Sequence, residues 1–207
     1  ILGDQEFRVP ERQDPYVRTH PLTRDRVAVI AHHVANSPYS DNAVSSKFDI
    51  NFRRVRAKLY GFLNPIGHTL GVYKESDNSL ESRYARAVGY YREPNLEKAV
   101  PLIDGLIAEY PKDPYFRELK GQMLFENGKP GAALVSYQNA VTLLPDNPLI
   151  RRELARVQLA LNNPALLDTA IDNLRISIAD DSESPFTWRQ LAIAYGRRGD
   201  KGHSSLA

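Results

Sequence analysis

Residues 114–148 read PYFRELKGQMLFENGKPGAALVSYQNAVTLLPDNP, and this stretch decides the fold. It places small residues at Gly121 and Ala133, an aromatic ring at Tyr137 and a proline at Pro145. Small residues let two helices approach closely, and Pro145 ends the second helix because proline has no amide hydrogen. The stretch therefore predicts a pair of packed helices joined by a short turn.

The same pattern returns along the chain with a step of 34 residues. Equivalent residues at this spacing are Ala87, Gly121 and Ala155, then Ala99 and Ala133, Pro111 and Pro145, and Pro114 and Pro148. Later equivalents lie 37 residues apart, as Pro148 and Pro185 do. We therefore expect a three-residue insertion near residues 162–164.

A 34-residue period with small residues at fixed places is typical of the tetratricopeptide (TPR) family. The last copy resembles the opening of a TPR repeat at Trp188, Leu191, Ala192 and Tyr195. The resemblance implies an all-α, TPR-type helical-hairpin solenoid, in which each hairpin buries its apolar face against the next. We expect a TPR domain over residues 80–207, made of three repeats and a truncated fourth.

In TPR proteins the first helix of each hairpin lines a concave groove. With Leu80, Pro114, Pro148 and Pro185 as first positions, this resemblance predicts a partner-binding surface for a protein or extended peptide. Its predicted residues are Tyr84, Tyr91, Arg92, Tyr115, Glu118, Gln122, Phe125, Arg152, Arg156, Phe186, Arg189 and Arg197, with Leu159 beside them. Aromatic rings supply apolar contact and arginines donate to carboxylates or carbonyls. The alternative for each ring is packing between hairpins.

The chain before the repeats has a different character. Residues 1–23 carry three prolines among charges and aromatics, which favours extended or irregular structure, and Thr23 can cap a following helix. In the predicted helical linker of residues 37–79, apolar residues recur at helical spacing from Val44 to Phe62, and we expect this stripe to be buried. The basic residues Arg53 to Lys58 are expected to form a solvated face or ion pairs with another domain.

Composition excludes some classes of partner and site. The chain has 207 residues, 42% hydrophobic and 25% charged, and a net charge of +2, which gives no reason to expect nucleic acid. Cysteine is absent, which excludes disulfides and thiolate metal sites. No stretch approaches the roughly 18 apolar residues of a membrane span.

Thr19-His20-Pro21, with Arg26 six residues after the histidine, resembles the segment that closes the peptidase domain of BepA-like (YfgC-like) bacterial zinc metallopeptidases. In that family a TPR domain follows, as it does here. The resemblance implies that residues 1–36 are the end of a metallopeptidase domain, that His20 and Arg26 face the catalytic cleft, and that His20 approaches or ligates zinc. It also implies a periplasmic location and a role in envelope protein quality control. Without the resemblance, His20 reads as an ordinary surface histidine.

The decisive catalytic motif is missing from the sequence. A zinc peptidase of this kind needs an HExxH helix, and none occurs here. We therefore expect no tightly bound zinc and no peptidase activity from this chain alone. Because it opens with Ile1 and stops within a repeat, we expect it to be part of a longer protein whose catalytic domain is a further partner. The alternative is a free-standing TPR adaptor with no protease attached.

Overall fold

The computed structural model describes residues 23–43 and 45–199, and all regular secondary structure within them is helical. The all-α prediction is confirmed. In chain order the elements are α1 (Thr23–Asn36), α2 (Ser46–Leu63), α3 (Ile66–Val72), α4 (Leu80–Arg92), α5 (Leu96–Glu109), α6 (Pro114–Glu126), α7 (Pro130–Leu143), α8 (Pro148–Ala160), a 3-10 turn (Pro164–Leu166), α9 (Leu167–Asp180) and α10 (Pro185–Arg198).

The chain divides into two compact units, with the boundary after Asp49. The first unit contains α1, whose helix was predicted to follow Thr23. Its apolar residues Val27, Ile30 and Val34 are exposed. Most of α2 and all the later helices lie in the second unit.

The repeat register is confirmed by where the helices begin. The first helices of the repeats start at Leu80, Pro114, Pro148 and Pro185, the four first positions expected from the sequence. Proline suits the first turn of a helix because its missing amide hydrogen would have no intrahelical partner there. Consecutive helices pack as pairs, α4 with α5, α6 with α7 and α8 with α9, and α10 packs against α9.

The expected insertion is also confirmed. Three residues, Pro164–Leu166, form a 3-10 turn between α8 and α9. Asn162 adopts a left-handed φ of 52°, and the Asn163 side chain accepts a hydrogen bond from the Ala165 amide at 3.0 Å. The extra residues therefore lengthen one turn and leave the helix pairing of the repeat intact.

Small residues mark the places where the two helices of a hairpin touch. In the second hairpin, a Cβ added to Gly121 would lie 2.7 Å from ring atoms of Tyr137. Tyr137 is only 1% exposed, so its ring has no room to move away. Ala99, Ala133 and Ala170 are completely buried at the equivalent place on the second helix of each hairpin. The sequence landmarks are thus packing contacts.

Helix α2 packs on α4 by a close crossing at Gly61. A Cβ on Gly61 would lie 2.2 Å from the Ala85 carbonyl oxygen, and Ala57 next to it is fully buried. The prediction that α2 buries its apolar stripe is wrong, because Phe52 is 54% exposed and Leu59 51% exposed. The small residues give the shorter approach to α4, and the apolar stripe is left facing solvent.

The basic edge of α2 pairs with carboxylates of the repeats. Among the described residues, Arg53 pairs with Glu81 at 3.5 Å, Arg54 with Asp113 at 2.7 Å and Lys58 with Glu118 at 3.8 Å. The Arg54 guanidinium also lies 4.7 Å from the centre of the Phe116 ring. From the sequence we expected either a solvated face or ion pairs with another domain, whereas the observed acidic partners belong to the repeats of this chain.

Residues 66–72 of the linker form helix α3. Thr69 of α3 is fully buried, and the close approach of Ile66 and Thr69 to Gly89 fixes α3 against α4. The loop that follows is held by Arg86, which is 3% exposed and donates hydrogen bonds to the carbonyls of Lys74 and Asp77. These contacts join the linker to the first repeat.

Candidate functional site

A cavity of about 380 Å³ opens on the face built by α6 and α8. Lys58 of α2 and Tyr137 of α7 complete its wall. Six of the residues predicted for the concave groove line it: Tyr115, Glu118, Gln122, Phe125, Arg152 and Arg156. The structure therefore brings together the predicted residues of the second and third repeats, and we call this cavity the α6–α8 groove.

Two arginines of the α6–α8 groove are held by one carboxylate. Glu153 accepts a hydrogen bond from Arg152 Nε at 3.2 Å and one from an Arg156 terminal nitrogen at 3.1 Å. The Arg156 guanidinium carbon lies 4.9 Å from the centre of the Phe125 ring and 6.0 Å from that of Phe186, within reach of cation–π attraction. The arrangement fixes both planar groups while each uses one nitrogen on Glu153, so further N–H donors can meet a ligand.

Glu118 is a largely buried carboxyl of the groove, with its side chain 20% exposed. Burial raises its pKa above the ordinary glutamate value, and Glu153 raises it further, while Lys58 opposes the shift. The Lys58 ammonium lies 3.8 Å away, so this partner offsets only part of the burial. The ionised form of Glu118 is therefore a cost to the folded state.

The raised pKa of Glu118 predicts that wild type and the Glu118→Gln variant differ in stability, and that the difference depends on pH. Because folding raises the pKa of Glu118, the penalty is present at pH 7 and disappears as acidification protonates the carboxyl in both states. Glu118→Gln, which cannot ionise, is expected to have a higher melting temperature than wild type at pH 7. The difference should close below about pH 4, near the ordinary glutamate pKa. Thermal melts of both proteins across this range test the point, and exposed Glu183→Gln is the control; a destabilised Glu118→Gln at pH 7 would contradict it.

Tyr84 and Tyr91 pack between helices. This is the alternative that the sequence analysis left open for each aromatic ring of the predicted groove. Tyr84 is 3% exposed, and its ring stacks edge-on against Phe116 with ring centres 5.3 Å apart. Tyr91 is 6% exposed, and its hydroxyl donates to Glu126, a residue that lines the α6–α8 groove. These two rings are buried beneath the surface next to the groove. Their direct contact with a client stays a prediction.

The remaining predicted residues lie away from the α6–α8 groove or at its edge. Phe186 is 38% exposed and contacts the groove through Arg152, whose guanidinium carbon lies 5.4 Å from its ring centre. Arg92 stacks on the ring of Phe62 at 4.5 Å. Arg197 donates to the buried Leu159 carbonyl at 2.6 Å, and Arg189 is exposed on α10. Their roles in binding remain predictions.

Sequence reasoning missed several groove residues. Lys58 was assigned to the linker, and nothing in the repeat pattern indicates that α2 reaches the repeats. Glu153 falls outside the TPR positions used for the prediction, and Leu149 and Glu126 were not among the predicted residues, although all three line the groove. A helical wheel of α8 would have found Glu153, because it lies three residues before Arg156 and therefore on a neighbouring face.

The described residues do not fit a zinc ion. His20 lies outside them, and Arg26 is exposed on α1. Within the part of the chain that the structure describes, no group of three or more His, Cys, Asp or Glu side chains could hold a metal. With no HExxH in the sequence, no step of the function proposed below involves zinc.

Comparison with known proteins supports the sequence-based resemblance. No protein-family model matches the chain. The Beta-barrel assembly-enhancing protease (BepA) of Yersinia pestis is 25% identical over 215 aligned residues, covering 96% of this chain and 40% of that protein. The chain is similar to BepA over nearly its whole length. The resemblance drawn from the Thr19-His20-Pro21 motif and the repeats is thus confirmed.

A second curated protein and several solved structures are also similar to this chain. DnaJ homolog subfamily C member 3 of Gallus gallus is 28% identical over 89 residues, which is 43% of this chain and 18% of that protein. The chain spans less than half the length of either curated relative. Among solved structures, MamA AMB-1 superposes with a TM-score of 0.58 at 15% identity, over 77% of this chain and 87% of MamA. MamA MSR-1 superposes with a TM-score of 0.58 at 17% identity, over 74% of this chain and 91% of that structure's chain. These likenesses show a TPR-type helical solenoid.

Among the described residues, none of the helices combines the length and apolar character needed to cross a bilayer.

Proposed function

We propose that this chain is a protein-docking module that holds an extended segment of a client protein in the α6–α8 groove. The observation that carries the proposal is the convergence of six groove residues predicted from repeat position on one cavity. Its volume of about 380 Å³ lies within the range of functional pockets, roughly 300 to 1,000 Å³. TPR-type solenoids are suited to such a role because their stacked hairpins create long concave surfaces.

The chemistry of the groove favours a polypeptide over a compact small molecule. Phe125 and the half-exposed ring of Tyr115 offer apolar contact along the groove. Arg152 and Arg156 are pre-oriented by Glu153, and their remaining N–H groups suit carboxylates and backbone carbonyls. An unfolded segment presents both apolar side chains and unpaired carbonyls, whereas a folded protein hides most of them.

The parent protein is proposed to be a periplasmic zinc metallopeptidase of envelope protein quality control. The support is the similarity to BepA over 96% of this chain, together with the Thr19-His20-Pro21 motif. In this proposal residues 1–36 close the catalytic domain, residues 37–79 form the linker, and residues 80–207 dock substrates for a catalytic domain encoded elsewhere in the protein. His20 and Arg26 would act in that catalytic domain.

A free-standing TPR adaptor is the second candidate. The similarity to DnaJ homolog subfamily C member 3 is restricted to 43% of this chain, as expected where only the repeats are shared. The gene sequence upstream of Ile1 separates the two candidates. A signal peptide and an HExxH helix encoded there support the protease parent, and the absence of both supports the adaptor.

The docking proposal predicts selectivity for unfolded protein. Fluorescein-labelled α-lactalbumin, reduced and carboxymethylated so that it cannot fold, is expected to bind at least about tenfold more tightly than the native protein, a difference of about 1.4 kcal/mol. The physical reason is that only the unfolded chain exposes carbonyls and apolar side chains together. Fluorescence anisotropy titrations with this chain measure both affinities. Equal affinities, or no binding of the unfolded form, would contradict the proposal.

A further inference from the structure

A second cavity lies between α2 and the repeats. Its volume is about 380 Å³, and its lining joins one face of α2 to two tyrosines of the repeats. The lining residues are Asn51, Arg54, Val55 and Lys58 of α2, with Tyr84 of α4 and Tyr115 of α6. The four α2 residues follow one another at steps of three, one and three, so they share one side of the helix. We call this cavity the α2 pocket.

The α2 pocket adjoins the α6–α8 groove. Lys58 and Tyr115 line both cavities, so they form the boundary between them. Tyr115 is 46% exposed at this boundary. A segment lying along the groove would therefore reach the α2 pocket by passing Tyr115.

The charges at the rim of the α2 pocket are already paired. Arg54 lies 2.7 Å from Asp113, with its side chain 19% exposed, and Lys58 lies 3.8 Å from Glu118. A charged client side chain would have to compete with these carboxylates or ammonium groups. A neutral side chain in the pocket would instead contact apolar surface. This surface is formed by Val55, the tyrosine rings and the aliphatic parts of the Arg54 and Lys58 side chains.

Val55 also belongs to the exposed apolar stripe of α2. It is 57% exposed, and its neighbours on the stripe, Phe52 and Leu59, are exposed as well. Packing of α2 on α4 at Gly61 uses the small-residue side of the helix and leaves Val55 free for another contact. An exposed apolar residue beside an exposed ring, at the mouth of a cavity with neutralised rim charges, is suited to bury a bulky apolar group.

We infer that the α2 pocket is a subsite for a large aliphatic or aromatic side chain of the same extended client segment that occupies the α6–α8 groove. This subsite rests on the proposed docking function. It assigns to α2 a direct part in binding, as one wall of the docking site. The client class is then an extended polypeptide carrying a bulky apolar residue just beyond the part held by the arginines.

The test compares two exposed valines on helices. Val55 is 57% exposed in the α2 pocket, and Val135 on α7 is 56% exposed and lines neither cavity. With reduced, carboxymethylated α-lactalbumin as the probe, Val55→Glu is expected to weaken binding about tenfold or more, because a carboxylate would be buried against the client. Val135→Glu should change it by no more than about twofold, as expected for a surface substitution. Circular dichroism confirms that both variants keep their helices.

A photo-cross-linking measurement gives a positive readout. Benzoylphenylalanine in place of Val55 should cross-link to the probe, and the same group in place of Val135 should not. The double variant Arg152→Glu, Arg189→Glu separates failure of the subsite from failure of docking. If that variant loses binding while Val55→Glu binds like wild type and position 55 yields no cross-link, the subsite is wrong and the groove stands. If neither variant alters binding, both proposals are overturned.

Discussion

Gly121→Ala is expected to lower the free energy of unfolding by about 1 to 3 kcal/mol, the usual cost of overpacking a well-packed core. The added Cβ would lie 2.7 Å from the Tyr137 ring, which is 1% exposed and enclosed by its neighbours. The second hairpin lies in the middle of the array, so its distortion also weakens the contacts of α6 with α5 and of α7 with α8. Thermal unfolding followed by circular dichroism measures the loss.

Gly131→Ala is the matched control in the same hairpin. Gly131 lies on α7, and an added Cβ there would have no atom within 4 Å. Alanine is favoured over glycine in a helix by up to about 1 kcal/mol, so this variant should be as stable as wild type or more so. If Gly121→Ala were equally stable, Tyr137 would not pack against Gly121, and the described hairpin would be incorrect.

Repeat spacing alone predicted most of the second unit. The first positions at Pro114, Pro148 and Pro185 are the starts of α6, α8 and α10, and the insertion near residues 162–164 is a 3-10 turn. These features follow from local chemistry. Proline fixes where a helix begins, and a small residue is required wherever two helices touch.

The orientation of α2 could not be predicted in the same way. Helical periodicity locates an apolar stripe, but it does not show whether a partner is present to cover it. Here the close crossing of Gly61 with Ala85 and the ion pair of Arg54 with Asp113 favour the opposite face. Both contacts join residues distant in sequence, and neither leaves a periodic signal.

Repeat position accounts for the residues that meet in the α6–α8 groove where the repeats alone build the cavity. Glu118 and Phe125 of α6, and Arg152 and Arg156 of α8, meet in one cavity as their repeat positions imply. Tyr84 of the first repeat is buried, because Phe116 covers its ring and α2 lies beside it. A rule based on repeat position describes an open array, and it cannot include a helix from outside the array.

The second large effect concerns binding. Arg152 lies in the α6–α8 groove beside Glu118 and Glu153, and Arg189 is exposed on the next first helix, α10. A charge-assisted hydrogen bond shielded from water contributes about 1.5 to 3 kcal/mol, so losing such bonds at two places removes about 3 to 6 kcal/mol of the roughly 8 kcal/mol that a micromolar complex has. Reversal to glutamate adds repulsion of client carboxylates and carbonyls. Arg152→Glu with Arg189→Glu is therefore expected to abolish binding of unfolded protein while leaving helical content unchanged.

A second double variant is the control for the effect of the changed net charge. Lys112→Glu with Lys129→Glu makes the same change in total charge at two exposed positions that do not line the groove. It reproduces the change in general electrostatic attraction or repulsion of a client and leaves the docking surface intact. Only a loss specific to the arginine variant therefore reports on the groove.

The most direct test of docking in the concave groove is a calorimetric titration of wild type and of both double variants with reduced, carboxymethylated α-lactalbumin. The account predicts a measurable heat of binding for wild type and for the lysine variant, and none for Arg152→Glu with Arg189→Glu. Equal affinity of the arginine variant and wild type would contradict it, and would place the docking surface elsewhere on the solenoid.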